Sequence, residues 1–356
     1  MIDLSFYKGK KVFITGHTGF KGAWLCRILL MSGADICGYA LEPTKSSSLF
    51  TLTGIEKHMN SVIGDIRNQD SLRKTIRNFQ PEVLFHLAAQ PLVRLSYQEP
   101  VLTYETNIMG TVNVLEVLRD IPCIRSFINV TTDKVYENKE WCWGYRENET
   151  LCGYDPYSNS KSCSELVTSS YRNSFFMYDG APAISTARSG NVIGGGDYSD
   201  DRIIPDCIRA VSSGNQIIVR NPFSIRPYQH VLECLYGYLL LAKKQYEDIN
   251  LAGSYNFGPH DESCISTGQL ADLFCSIWGN ETSWVALDNE GPHEANFLKL
   301  DCAKARTALG WNPVWNIKRA VEKVVEWNKT VMQNNPAEEI TDKQIAEYFS
   351  FCKQIN

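Results

Sequence analysis

Apolar runs bounded by glycine, proline or polar clusters recur through the first half of the chain. They alternate with stretches of helical period. Lys10–Gly16 holds the run Val12-Phe13-Ile14 and predicts a strand. From Gly19 to about Met31, Trp24, Leu25, Ile28 and Leu29 share one stripe, which predicts a helix stopped by Gly33. Ala34–Leu41 and Ser61–Ile66 read as the second and third strands, and a helix follows from about Asn68 to Phe79. Pro81 ends that helix, and Glu82–Leu87 reads as the fourth strand. Pro100–Arg119 predicts a long helix, Ser126–Val130 a fifth strand, Asp155–Phe175 a second long helix and Ala183–Arg188 a sixth strand. Strands that are apolar throughout, each followed by a helix, predict a parallel sheet covered on both faces. The expected class is α/β, a doubly wound Rossmann-type sheet.

After about residue 190 the rhythm breaks, and glycine, proline and arginine become denser, as in Gly194-Gly195-Gly196 and Arg220-Asn221-Pro222. The expected division is a dinucleotide-binding domain over 1–190, a smaller irregular lobe over 191–330 that closes on a substrate, and a surface helix or tail over 331–356. Strands of the two halves are expected to interleave. A chain of 356 residues has room for this, at about 100–200 residues per domain.

Charge and composition narrow the partners. A net charge of −5, with its acids dispersed, argues against a nucleic-acid surface. No apolar run is long enough to cross a bilayer, and Met1–Lys8 lacks the pattern of a signal peptide, so a cytoplasmic protein is expected. None of the 12 cysteines is spaced Cys-x-x-Cys, and several, including Cys26, Cys37 and Cys275, sit in apolar stretches. They read as buried, reduced thiols. The six histidines form no His-x-x-x-His pair, and no metal is expected.

Two motifs carry the chemistry. Thr15-Gly16-His17-Thr18-Gly19-Phe20-Lys21-Gly22 lies between the first strand and its helix. Gly16 permits a tight turn, Gly19 lets the backbone approach a diphosphate, and Gly22 lets helix and strand pack closely. Free N–H groups and the helix dipole then face the anion, with His17 and Phe20 inside the same loop. Asp65-Ile66 ends the third strand, where an adenine edge should lie, and Leu87-Ala88-Ala89-Gln90 ends the fourth beside the diphosphate and nicotinamide ribose. No acid directly follows the second strand, since Glu42 comes late, and no arginine stands there either. The cofactor expected is NAD, held more loosely than with that acid present.

Far downstream, Tyr157-Ser158-Asn159-Ser160-Lys161 puts a phenol and an ammonium on one helix face. Free tyrosine, with a pKa of about 10, is a poor base at neutral pH. A neighbouring ammonium and the positive nicotinamide are expected to lower it. Tyr157 then takes a hydroxyl proton while the carbon beneath loses hydride, and Lys161 also holds the nicotinamide ribose. Thr132, at the end of the fifth strand in Thr131-Thr132-Asp133-Lys134-Val135-Tyr136, is placed to bond the same substrate oxygen.

With these residues the chain resembles an extended short-chain dehydrogenase/reductase over roughly residues 8–330. Within that superfamily it is most similar to the nucleotide-sugar 4,6-dehydratases that act on CDP-glucose. The narrower likeness rests on Thr15–Gly22, Gly38–Leu41, Ala88–Arg94, Thr131–Glu147, Gly153–Ser158, Gly190–Asp197, Arg226–Val231 and Leu309–Pro313. The resemblance implies oxidation at C4 with Tyr157 as base and Thr132 as its partner. It further implies loss of water across C5 and C6 with Asp133 as the acid, and return of hydride to C6. Dehydratases acting on dTDP-glucose carry a glutamate where this chain has Lys134, so Lys134 is expected to act as the C5 base or to steady the enolate as a cation. For the substrate, the resemblance points to Asn191 and Arg226 as diphosphate contacts. Arg202, Arg220 and His293 are weaker candidates, and Gln90 and Arg94 are expected to face the sugar. Relatives pair two long helices per subunit, which implies a homodimer here or a tetramer. The rival readings are another nucleotide-sugar dehydratase, a 4-epimerase, or a non-catalytic dinucleotide sensor. Neither an epimerase nor a sensor has need of the full Thr132, Asp133, Tyr157 and Lys161 set.

Overall fold

The computed structural model describes residues 4–43, 47–279, 281–287 and 297–355. The six expected strands are present: β1 Lys11–Thr15, β2 Asp35–Ala40, β3 Asn60–Ile63, β4 Val83–His86, β5 Ser126–Val130 and β6 Ala183–Ser189. They lie in one parallel sheet with a seventh strand, Ser254–Phe257, in the order Ser254–Phe257, β6, β5, β4, β1, β2, β3. The winding reverses between β1 and β4. Ligands of such sheets sit in the crevice at the strands' C-terminal ends there.

Successive residues of a strand point to opposite faces, and two apolar layers result. Phe13, Leu84, Phe127 and Ile184 pack with Leu72, Ile76, Val114 and Leu115 on one face. Val12, Ile14, Phe85 and Ile128 pack on the other with Trp24 and Ile28 of the Phe20–Met31 helix and with Leu235 and Leu239 of Val231–Glu247. A third cluster joins Ile204, Ile217 and Val219 to Leu270, Phe274 and Val324 in the smaller lobe.

Several features refine or correct the sequence expectations. The interleaving takes the form of Ser254–Phe257, whose neighbour in the sheet is β6 although it lies in the second half of the chain. The third strand stops at Ile63, so Asp65-Ile66 lies in the loop beyond it. The Pro100–Arg119 helix is interrupted: Pro100–Tyr104 and Gly110–Leu118 are α-helical, but Glu105–Met109 is a π turn. That turn carries Asn107, whose amide bonds the backbone of Gln90 (2.8 and 3.1 Å) and the Ser160 hydroxyl (2.8 Å), stapling the end of β4 to the Tyr157 helix.

The C-terminal segment is a docked helix, Ala337–Ile355, rather than a surface helix or tail. Ile340, Ile345, Tyr348 and Phe349 join the core. Tyr348 donates to the buried Glu233 carboxylate at 2.8 Å, and Arg27 pairs with Asp342 and Glu338. Cys275 is partly exposed, not buried.

Candidate active site

The glycine loop has the shape its spacing predicts. Gly16 has φ of 77°, and a Cβ there would lie 2.7 Å from the Ala88 backbone nitrogen. A Cβ on Gly22 would lie 2.1 Å from the Gly16 carbonyl oxygen, so helix and turn touch only because that side chain is absent. Gly19 is exposed and caps the Phe20–Met31 helix without any side-chain hydrogen bond. The first-turn N–H groups of a helix lack intrahelical partners, and here no cap competes for them. This bare cradle fits a dinucleotide diphosphate.

Other cofactor candidates separate by what their side chains already do. Thr15 Oγ1 bonds His86 at 2.7 Å and accepts from the Leu87 and Ala88 backbone, both at 3.2 Å, which fixes the end of β4 beside the loop. Against expectation, the His17 ring turns inward. Its Nε2 bonds Ser61 Oγ at 2.7 Å, and it packs so closely on Gly38 that a Cβ there would lie 2.3 Å from the ring. Burial lowers its pKa to about 4, so it braces the loop as a neutral ring. Phe20 packs toward Gly194. Ile66 is a core residue beneath Gly110. Asp65 is clamped by Arg67 at 2.6 Å, which holds its carboxyl below the usual range. Gln90 is buried with its amide bonded to Leu92 and Thr103, so its side chain holds a turn instead of facing a sugar.

The catalytic candidates converge. Asp155 caps the Pro156–Phe175 helix through the Ser158 backbone at 2.9 Å, which sets the helix start and hence the direction of Tyr157. The Tyr157 phenol lies near Thr132, which favours its phenolate. Lys161, buried one turn on, donates to the Val130 carbonyl at 2.8 Å. Thr132 also donates to Asp133 Oδ1 at 3.0 Å and accepts from the Lys134 backbone at 3.3 Å, capping the short turn Asp133–Val135. Lys134 is half-buried on that turn.

The electrostatics correct one expectation. Lys161 was expected to lower the Tyr157 pKa, but desolvation dominates and pushes the phenol up to about 12. Burial also pulls Lys161 down to about 8, partly opposed by Glu165. Asp133 is 1% exposed, and burial raises its pKa despite Lys134 and the Thr132 hydrogen bond. Its Oδ2 has no hydrogen-bond partner among the described residues and faces Gly190, where a Cβ would come within 2.8 Å.

The substrate candidates fall into two groups. Arg94 and Arg220 share Asp201, at 3.6 and 2.5 Å, and Arg220 also reaches Asp206 at 3.1 Å. Arg202 pairs with Asp197 at 3.2 Å and lies near enough to Tyr157 to favour its phenolate. Arg226 is buried, donates to the Ile225 carbonyl at 3.0 Å and acts on Asp133. Asn191 is half-buried, and its carbonyl accepts from the Gln229 backbone at 3.1 Å. His293 lies outside the described residues.

Sequence reasoning gave no role to Lys21, Glu165 or Arg188. Lys21 crosses from the glycine loop to Ser189 Oγ (2.8 Å) and Tyr238 OH (3.3 Å) at the end of β6. Burial lowers its pKa, and Asp133 opposes that shift. For Lys21 the available signal was a cation in the first turn of a mostly apolar helix.

Comparison with known proteins agrees with this geometry. The sequence profile described as GDP-mannose 4,6 dehydratase matches residues 13–324. The chain is 47% identical over 355 residues to CDP-glucose 4,6-dehydratase of Salmonella typhimurium, covering 98% of this chain and 99% of that protein. It is 26% identical to dTDP-glucose 4,6-dehydratase of the same organism, over 89% of this chain and 92% of that one. Among solved structures, dTDP-glucose 4,6-dehydratase from Bacillus anthracis in complex with NAD superposes with a TM-score of 0.77 at 19% identity, over 91% of this chain and 98% of that one. UDP-glucuronic acid 4-epimerase from Bacillus cereus gives 0.77 at 23%, over 90% and 99%.

Proposed function

The chain belongs to the nucleotide-sugar dehydratase and epimerase branch of the extended short-chain dehydrogenase/reductases, and we propose that it converts CDP-D-glucose to CDP-4-dehydro-6-deoxy-D-glucose. The supporting observation is one turn, Thr132-Asp133-Lys134, that brings a hydroxyl near Tyr157 and, beside it, a carboxyl of raised pKa whose Oδ2 has no hydrogen-bond partner among the described residues. The 47% identity over almost the whole length to a CDP-glucose enzyme supports the choice of base.

Bound NAD supplies the hydride acceptor for C4 and afterwards the donor for C6. The glycine loop would hold its diphosphate on bare N–H groups, and Lys161 would hold the nicotinamide ribose. Thr132 orients the C4 hydroxyl, and Tyr157 takes its proton. The new ketone makes the C5 proton acidic. Lys134 either takes that proton or pairs with the enolate. Asp133, whose pKa burial raises, gives its proton to the departing C6 hydroxyl. Arg226 and Asn191, with Arg202 and Arg220 as weaker candidates, receive the diphosphate, a task suited to arginine's planar fork.

The protein acts as a homodimer. Val101 and Met109 in the interrupted helix and Leu166 in the Tyr157 helix are 69, 51 and 56% exposed. Burying such residues against a second copy gains roughly 25 cal/mol per Å² of apolar surface.

The test is incubation of the protein and NAD with CDP-, dTDP-, UDP- and GDP-glucose, followed by the ultraviolet absorbance that 4-keto-6-deoxy products develop in base. CDP-glucose is expected to turn over at least about tenfold faster than the others, a discrimination of about 1.4 kcal/mol. Turnover of dTDP-glucose without CDP-glucose, or epimerised product with no absorbance, would refute this reading.

A further inference from the structure

Glu165 lies one turn beyond Lys161 on the Pro156–Phe175 helix and has no place in the chemistry above. Its carboxylate is 2% exposed, as is its partner Arg188 on β6. The pair is bidentate, Nε to Oε1 and Nη2 to Oε2, both at 2.9 Å. The remaining lone pairs accept from Thr131 at 2.5 Å and Thr186 at 2.6 Å. The third arm of Arg188 donates to the Tyr136 hydroxyl at 2.7 Å and the Glu147 carbonyl at 3.0 Å.

The placement matters more than the count of bonds. Thr131 immediately precedes Thr132, and Tyr136 follows Lys134 by two residues. One buried ion pair therefore grips both ends of the segment that presents Thr132, Asp133 and Lys134. A buried ion pair is a poor device for stability, because well-packed apolar replacements often do as well or better. It does fix geometry, since a fully bonded fork tolerates little displacement. It also places a permanent negative charge behind Lys161, where burial alone would favour the neutral amine.

We propose that Glu165 and Arg188 are positioning residues for the reaction. They clamp the 131–136 segment at both ends, and Glu165 sets its carboxylate one helical turn behind Lys161. This rests on the functional reading above.

The sign follows from the charges. Glu165 raises the Lys161 pKa, so its removal lowers that pKa and narrows the window of a charged lysine from the alkaline side. Glu165→Gln alone would strand a buried guanidinium, so the main test is the neutral double variant Glu165→Gln with Arg188→Met, which leaves no unpaired charge. It is expected to fold, to keep the KM for CDP-glucose within about twofold, to lose about tenfold or more in kcat, and to move the alkaline limb of the pH–rate profile down by about one unit. Thr131→Val removes one end of the clamp but not the charge, so kcat should fall with the limb in place. A folded double variant with the parental kcat and limb overturns the proposal. If the double variant does not fold, a parental kcat for Thr131→Val overturns it and a lowered kcat supports it. Failure of the parent protein to turn over CDP-glucose refutes the functional reading instead.

Discussion

Burial sets opposite tasks for the ionisable groups of the site. The Tyr157 phenol is pushed to about 12 and the Lys161 ammonium is drawn to about 8, so the resting site at neutral pH holds both protons. Tyr157 becomes a base only when further positive charge enters the crevice. Asp133 is pushed the other way from an ordinary carboxylate, which suits an acid. Asp133→Asn should therefore leave C4 oxidation intact and stall the loss of water. The expected result is a kcat lower by about 10²–10⁴-fold, with the near-ultraviolet absorbance of reduced cofactor persisting during turnover. Unchanged turnover would remove Asp133 from the mechanism. Tyr157, Lys161 and Thr132 were legible in the sequence because a helix period and a strand end dictate their places. Lys21 and Arg188 were not, because their partners lie 168 and 23 positions away. His17 and Gln90 misled for the complementary reason. Their motif fixes the backbone, but the side chains found Ser61 and Thr103.

The elements were read well where local pattern decides them. Gly33 and the Asn68 cap end and start helices where expected, the former at φ of 76° and the latter accepting from the Ser71 backbone at 3.1 Å. The π turn at Glu105–Met109 was invisible, because it serves the reach of Asn107 to Gln90 and Ser160, a contact between three separate elements. Such turns often mark functional sites, and this one ties β4 to the Tyr157 helix. The outward faces of the same two helices carry Val101, Met109 and Leu166. Leu166→Arg, placing a cation in the proposed dimer seam, should shift the protein from dimer toward monomer in light scattering while its circular dichroism stays native. A variant that remains a dimer would place the contact elsewhere.

At the scale of the molecule, the parallel doubly wound sheet and the crevice at its strand ends were readable before any coordinate, from strands that alternate with helices. The closing of the architecture was not. Strand Ser254–Phe257 returns to pair with β6, and helix Ala337–Ile355 docks through Tyr348 onto Glu233, whose pKa burial raises to about 7. Both depend on contacts between distant halves of the chain, and a short apolar run does not announce its partner. Their effect is to hold Val231–Glu247 against the sheet, so that Tyr238 meets Lys21 and Ser189 beneath the crevice.

The central claim is that one site removes hydride from C4 of the sugar and returns it to C6. CDP-glucose carrying deuterium at C4, turned over with NAD in ordinary water, tests it by magnetic resonance or mass spectrometry of the product. The account predicts the deuterium on C6. Deuterium still on C4, or lost to solvent, would contradict it.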